Sequence, residues 1–210
     1  TDVVIEFGPR SPKAAYPSMY SITGPGSGIA TYEVEGNENA EGYRSIALPG
    51  TAAGLCVAHE LLGTLPLEQV MEPAIHLAKE GFDVYWLLSL MIGSSMTGLR
   101  KYPGSRDIFM PDGVPPNYTP DPSSPNIKSH RLIQRDLSDV LSRISNSGRA
   151  GMYKGEIAAA AVEDMQCNGG LITLEDLADF EPAIKRPLSA NFREFQVLSP
   201  TAPCGSWTAL

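Results

Sequence analysis

The chain has 210 residues, a formal net charge of −8, 42% hydrophobic residues and three cysteines. An acidic chain without a basic patch argues against nucleic acid and anionic membrane surfaces as partners, and no apolar run approaches the roughly 20 residues that span a bilayer. Cys56, Cys167 and Cys204 are too few for a disulfide framework, and none has the CxxC spacing of a zinc site.

Residues 3–7, VVIEF, read as a short strand feeding the turn Gly8-Pro9-Arg10-Ser11-Pro12. No initiator Met and no signal-peptide pattern precede them, so the chain is expected to start inside a longer protein. The compartment stays open between cytoplasm and periplasm or secretion. Residues 21–28, rich in Gly, Ser and Pro, read as a loop, and 33–41 as a solvated acidic tract.

The stretch 45–84 reads as two consecutive helices forming a hairpin. Thr51 is a candidate cap for the first. Leu55, Ala58, Leu61 and Leu62 give it an apolar face, and Gly63 a left-handed stop. Pro66 suits the first turn of the second helix. Its apolar face is Leu67, Val70, Met71, Ala74, Leu77 and Ala78, closed by Gly81. A third helix is expected near 85–98, with 84–92 short and apolar enough to be buried. Residues 101–126, where seven prolines fall, read as a long surface loop.

Order returns at Leu132. Leu137, Val140, Leu141 and Ile144 make a helical stripe that Gly148 stops, and Gly155 opens a helix running to about Gln166. Thr173 fits a helix N-cap, with Asp176 three residues on. Residues 188–198 read as two strands about a turn at 191–194. Strands at both ends of the chain are expected to present edges that further strands would complete.

Several constellations carry no chemistry. His59-Glu60 is not HExxH, because position 63 is Gly. Gly93-Ser94-Ser95-Met96-Thr97 is not GxSxG, and no GKT or GKS follows the Gly24–Gly28 run. Asp136 and Asp176 read as cap residues, and Cys56 as a small buried hydrophobe. No metal site is expected from His59, His76 and His130.

The run Pro49-Gly50-Thr51-Ala52-Ala53-Gly54-Leu55 resembles the gamma-glutamyltransferase (gamma-glutamyltranspeptidase) family of N-terminal-nucleophile hydrolases. So do Ala58-His59-Glu60, Leu65-Pro66, Pro73-Ala74-Ile75 and Glu80-Gly81-Phe82. Leu67 departs from it, where many members carry Trp. Further matches follow in order: Gln134-Arg135-Asp136-Leu137, Met152-Tyr153-Lys154-Gly155-Glu156-Ile157, Gly169-Gly170-Leu171-Ile172-Thr173, Glu175-Asp176-Leu177-Ala178 with Phe180 for the usual aromatic, and Pro187-Leu188.

The resemblance implies an α+β fold. It would be the largely helical part of the large subunit of an αββα sandwich, with short strands at both chain ends and residues 1–210 as one partial domain. It implies cleavage of gamma-glutamyl amides through an acyl-enzyme on a Thr. That Thr, its oxyanion-stabilising amides and most substrate contacts would lie outside this chain, so no catalytic residue is assigned within it. The implied partners are a small-molecule gamma-glutamyl substrate and the small subunit of the same precursor, without a cofactor. A cephalosporin acylase-like substrate class and a non-catalytic scaffold stay open as alternatives.

Arg10 is the one substrate-binding candidate. An Arg after Gly-Pro at a strand end can clamp a carboxylate through its planar fork. One branch of the family carries Asp-Gly-Ser-Gly-Arg-Ala-Pro, which Glu6 to Pro12 matches at Arg10 and Pro12. The better-known branch carries Asp-x-Arg-Glu-x-Ala-Pro, and there Gly8 takes the Arg position. The alternative role for Arg10 is a surface residue that stiffens the turn or pairs with Glu6. The Pro200–Ser206 run stands where the family has a Pro-rich Ser/Gly element, with Cys204 and Ser206 in unusual places. A strand-to-helix turn is the simpler reading there.

Overall fold

The computed structural model describes residues 2–28, 31–116, 130–205 and 208. The elements, in chain order, are β1 (Val4–Glu6), β2 (Ile22–Pro25), β3 (Tyr32–Val34), α1 (Thr51–Leu62), α2 (Leu67–Glu80), β4 (Phe82–Asp83), α3 (Trp86–Ser94), α4 (Met96–Lys101), α5 (Pro103–Phe109), β5 (Arg131–Leu132), α6 (Arg135–Ser147), α7 (Ala150–Tyr153), α8 (Gly155–Cys167), α9 (Leu174–Ala178), β6 (Ala183–Lys185), β7 (Leu188–Phe192) and β8 (Phe195–Ser199). The fold is α+β, as expected. Its strands pair antiparallel as β1–β6, β2–β3, β4–β5 and β7–β8.

The chain divides into two compact units, one of Thr1–Leu65 with Ser147–Leu210 and the other Pro66–Asn146. The boundary falls at Leu65/Pro66, inside the connection between the two helices read at 45–84. In the first unit Val4, Ile5 and Glu6 face Lys185, Ile184 and Ala183. This pairing brings the start of the chain onto its last third. The core is Leu48, Ala53, Tyr153, Ala158, Val162, Ile172, Leu177 and Phe180. In the second unit Ala78, Val84, Ile92, Met110, Leu132 and Ile144 are buried.

The structure corrects several local expectations. Thr51 is the first residue of α1 rather than its cap; Gly50 caps it without a side-chain bond. Gly63 is extended (φ −68°, ψ 143°), not left-handed. Its role is steric. A Cβ there would lie 2.5 Å from the His59 carbonyl oxygen and under 3 Å from its ring. That ring crosses the helix end, and Nε2 lies 2.7 Å from the Leu65 carbonyl. A carbonyl only accepts, so Nε2 carries the proton. Gly81 closes α2, as expected, and has a positive φ of +77°.

The buried face of α1 is Ala53, Gly54 and Cys56, while Leu55, Leu61 and Leu62 are exposed. Helical spacing found the leucines correctly but not the face that the core selects. Small residues win because β1 and its following loop approach α1 closely. The helix near 85–98 breaks at Ser95 into α3 and α4, and Trp86, Leu90 and Met91 are exposed rather than buried. The Pro-rich stretch contains a helix, α5, with Pro103 in its first turn; Pro120, Pro122 and Pro125 lie outside the described residues. The 21–28 loop contains β2, and β6 and α7 were not legible.

Candidate functional site

Arg10 sits just beyond β1, where the chain crosses the N-terminus of α1 and the C-terminal side of α9. Its position follows from a close approach. A Cβ on Gly50 would lie 1.9 Å from the Phe7 carbonyl oxygen, and one on Gly54 2.1 Å from the Phe7 ring. Real Cβ atoms never come so near, so only glycine at both positions lets Phe7 rest on the helix. The chain then forms an antiparallel bridge, in which Leu48 N–H donates to the Arg10 carbonyl at 2.8 Å.

The Arg10 side chain lies on an aromatic stack. Its guanidinium carbon is 5.0 Å from the Phe180 centroid. Phe180 stacks on Tyr153, with centroids 5.8 Å apart and planes 18° apart. Tyr153 is anchored in turn: its hydroxyl donates to the Pro49 carbonyl at 2.6 Å and accepts from Ala53 N–H at 3.3 Å. Burial pushes the Tyr153 phenol above its ordinary value. One Arg10 N–H donates to the Glu181 carbonyl at 2.8 Å.

The alternative partner, Glu6, is taken by Lys185. The Glu181 carboxylate is taken by Arg149, whose hydrogen bond holds it below the usual carboxylate range. Among the described residues no carboxylate forms an ion pair with Arg10. A guanidinium has five donors, and the aromatic face and one carbonyl leave most of this fork for an anion. A Cβ at Gly8 would meet nothing within 4 Å, so the position where the better-known branch has its Arg stands open.

Three residues further on, the chain is gripped again. Lys13 N–H donates to Asp176 Oδ1 at 2.9 Å. Asp176 Oδ2 accepts from the Thr173 N–H at 3.0 Å and from its hydroxyl at 2.8 Å. Thr173 and Asp176 thus form the expected capping box of α9. What sequence reasoning missed is the second carboxylate oxygen, which reaches the segment after Arg10. Burial opposes the charge of Asp176, yet these donors hold its carboxyl below the ordinary value. The Lys13 ammonium pairs with Glu175 and Asp179 at the exposed surface, and these partners raise its pKa.

Other sequence candidates fall away from this cluster. Cys56 is buried, and burial pushes its thiol up, as suits a packing residue. Cys204 is exposed in a turn in which its N–H donates to the Thr201 carbonyl at 3.2 Å; Ser206 lies outside the described residues. His76 is on α2, and the His130 carbonyl accepts from Val84 N–H. Among the described residues no group of three or more His, Cys, Asp or Glu could hold a metal. No helix among them is long and apolar enough to cross a membrane.

Comparison with known proteins decides the family. The gamma-glutamyltranspeptidase profile matches residues 2–210. The chain belongs to the gamma-glutamyltranspeptidase family. It is 32% identical to Acylase ACY 1 proenzyme of Pseudomonas sp. (strain V22) over 97% of its own length and 35% of that protein. It is 37% identical to the Glutathione hydrolase proenzyme of Escherichia coli (strain K12), over 74% of this chain and 25% of that one. The solved gamma-glutamyltranspeptidase of Helicobacter pylori superposes with a TM-score of 0.81 at 26% identity, covering 99% of this chain and 54% of that one. The chain therefore spans about a third or less of the length of these two curated relatives.

Proposed function

We propose that the whole protein is a gamma-glutamyltransferase-type acyltransferase or hydrolase, and that this chain is a segment of its large subunit. A Thr outside the chain, its own α-amine freed by autocleavage, attacks the gamma-glutamyl amide. The Thr hydroxyl proton passes to that amine and then to the leaving amine as the C–N bond breaks. The ester formed is resolved by water or by an amino acid or peptide amine. The small subunit of the same precursor completes the site, and the two units described here are parts of one larger domain.

Within this reading Arg10 holds the carboxylate of the donor. The observation that carries it is the Arg10 fork, seated on Phe180 and unclaimed by any described carboxylate. The family match along residues 2–210 supports the rest. The test is hydrolysis of gamma-glutamyl-p-nitroanilide by the full-length protein, with a denaturing gel beside it. Turnover with two bands supports the proposal; a single uncleaved band without turnover supports a non-catalytic scaffold.

A second reading is an amidohydrolase of the cephalosporin acylase type. It is favoured by the acylase proenzyme relative, which matches 97% of this chain. Faster turnover of a glutaryl amide than of the gamma-glutamyl amide decides for it.

A further inference from the structure

We propose that Asp176 is a positioning residue for Arg10. Through its hydrogen bond from Lys13 N–H it fixes the segment that presents the Arg10 fork to the donor carboxylate. This inference rests on the proposed carboxylate-binding role of Arg10.

The segment from Gly8 to Lys13 has no regular structure beyond the Arg10–Leu48 bridge. A fork that must meet a carboxylate with two parallel bonds tolerates little displacement. The Leu48 bond holds the segment at Arg10, and Asp176 holds it three residues later. Between the two holds, Pro12 is buried.

A capping box needs its acid only for the cap residue's own N–H. Here one oxygen of a carboxylate only 2% exposed serves the cap, and the other serves a residue 163 positions away in sequence. The cap alone does not account for the second bond. The Lys13 ammonium is the weaker tether, since both its ion pairs lie at the solvent-exposed surface.

The turn at Lys13 offers a way to break the hold by Asp176. Ala15 N–H donates to the Pro12 carbonyl at 3.0 Å, which places Lys13 second in a four-residue turn. Proline is favoured at that position. Lys13→Pro suits the turn, deletes the N–H and sets its ring Cδ against Asp176 Oδ1, so it breaks this hold outright. Lys13→Ala deletes the ammonium and keeps the N–H, so the difference between the two variants reads the hold that Asp176 has on the segment.

The experiment is calorimetric titration of the full-length protein with L-glutamate as the probe. Lys13→Pro is expected to bind about tenfold more weakly than Lys13→Ala, the scale of one hydrogen bond to a charged group. Asp176→Asn is expected to show a similar loss. On an Arg10→Ala background the difference between Lys13→Pro and Lys13→Ala should vanish. Equal affinities of the two Lys13 variants, with Arg10→Ala weakened, would overturn the positioning role alone. So would a difference that persists without Arg10. A wild-type protein that binds no glutamate, or an Arg10→Ala protein that binds like wild type, would overturn the underlying reading and the positioning role with it.

Discussion

The Arg10 guanidinium lies 5.0 Å from the centroid of Phe180, a ring that is itself 3% exposed. A residue near the start of the chain thus takes its place from one of the best-buried residues near the other end. Phe180→Leu keeps an apolar side chain but removes the face under Arg10 and the stack on Tyr153. It is expected to lower stability by about 1 kcal/mol, the worth of an aromatic pair, and to weaken binding of anionic substrates. Urea unfolding and substrate titration of the full-length protein check the two effects separately.

Gly50 and Gly54 carry the close approach of Phe7. Gly50→Ala would set a Cβ 1.9 Å from a backbone oxygen, which cannot swing aside, and Gly54→Ala one 2.1 Å from the Phe7 ring. Each is expected to lower the urea midpoint, with a loss of about 2 kcal/mol or more in unfolding free energy for Gly50→Ala. Gly98→Ala, where an added Cβ meets nothing within 4 Å inside α4, should be neutral or stabilising.

Much of this fold was legible in the sequence. The Thr173–Asp176 box, the Gly81 stop and the β7–β8 ribbon are local devices, and local chemistry fixes them. The misses share a cause. Leu55 and Leu62 satisfy a helical period, but the face α1 buries is set by how near Phe7 comes, which no local pattern records. The spacing of Gly50 and Gly54 by one helical turn was the available signal. Arg10 was legible as a candidate from its own turn. Its supports, Phe180, Tyr153 and Asp176, lie more than 140 positions away and become neighbours only when β1 pairs with β6.

Asp176 gives the stability a defined dependence on pH. Its carboxyl is held below the ordinary 3.8 in the folded state despite burial, by the Lys13 and Thr173 donors. Between the folded and ordinary values the unfolded chain binds more protons, so stability rises with pH there. The increment is fully present above 3.8 and is lost as pH falls through the folded value. Asp176→Asn should lower the melting temperature at neutral pH, and the gap to wild type should narrow below 3.8. Glu181 is depressed in the same direction but is largely exposed, so its contribution is small.

Cys56 is buried with its thiol pushed up by desolvation. Both effects suppress the thiolate that alkylating reagents attack. Peptide mapping after iodoacetamide treatment should find Cys56 unmodified in the native protein and modified after denaturation. Rapid native modification would place it outside the core.

The most direct measurement is the steady-state kinetics of Arg10→Ala in the full-length protein with gamma-glutamyl-p-nitroanilide. Loss of a charged hydrogen-bonding partner predicts a KM raised on the order of 10- to 100-fold, with kcat changed far less. Arg10→Lys should recover only part of the loss, because an ammonium cannot form the paired bonds of the fork. An Arg10→Ala enzyme with unaltered kcat/KM would contradict the assignment and leave Arg10 as a residue that only stiffens its turn.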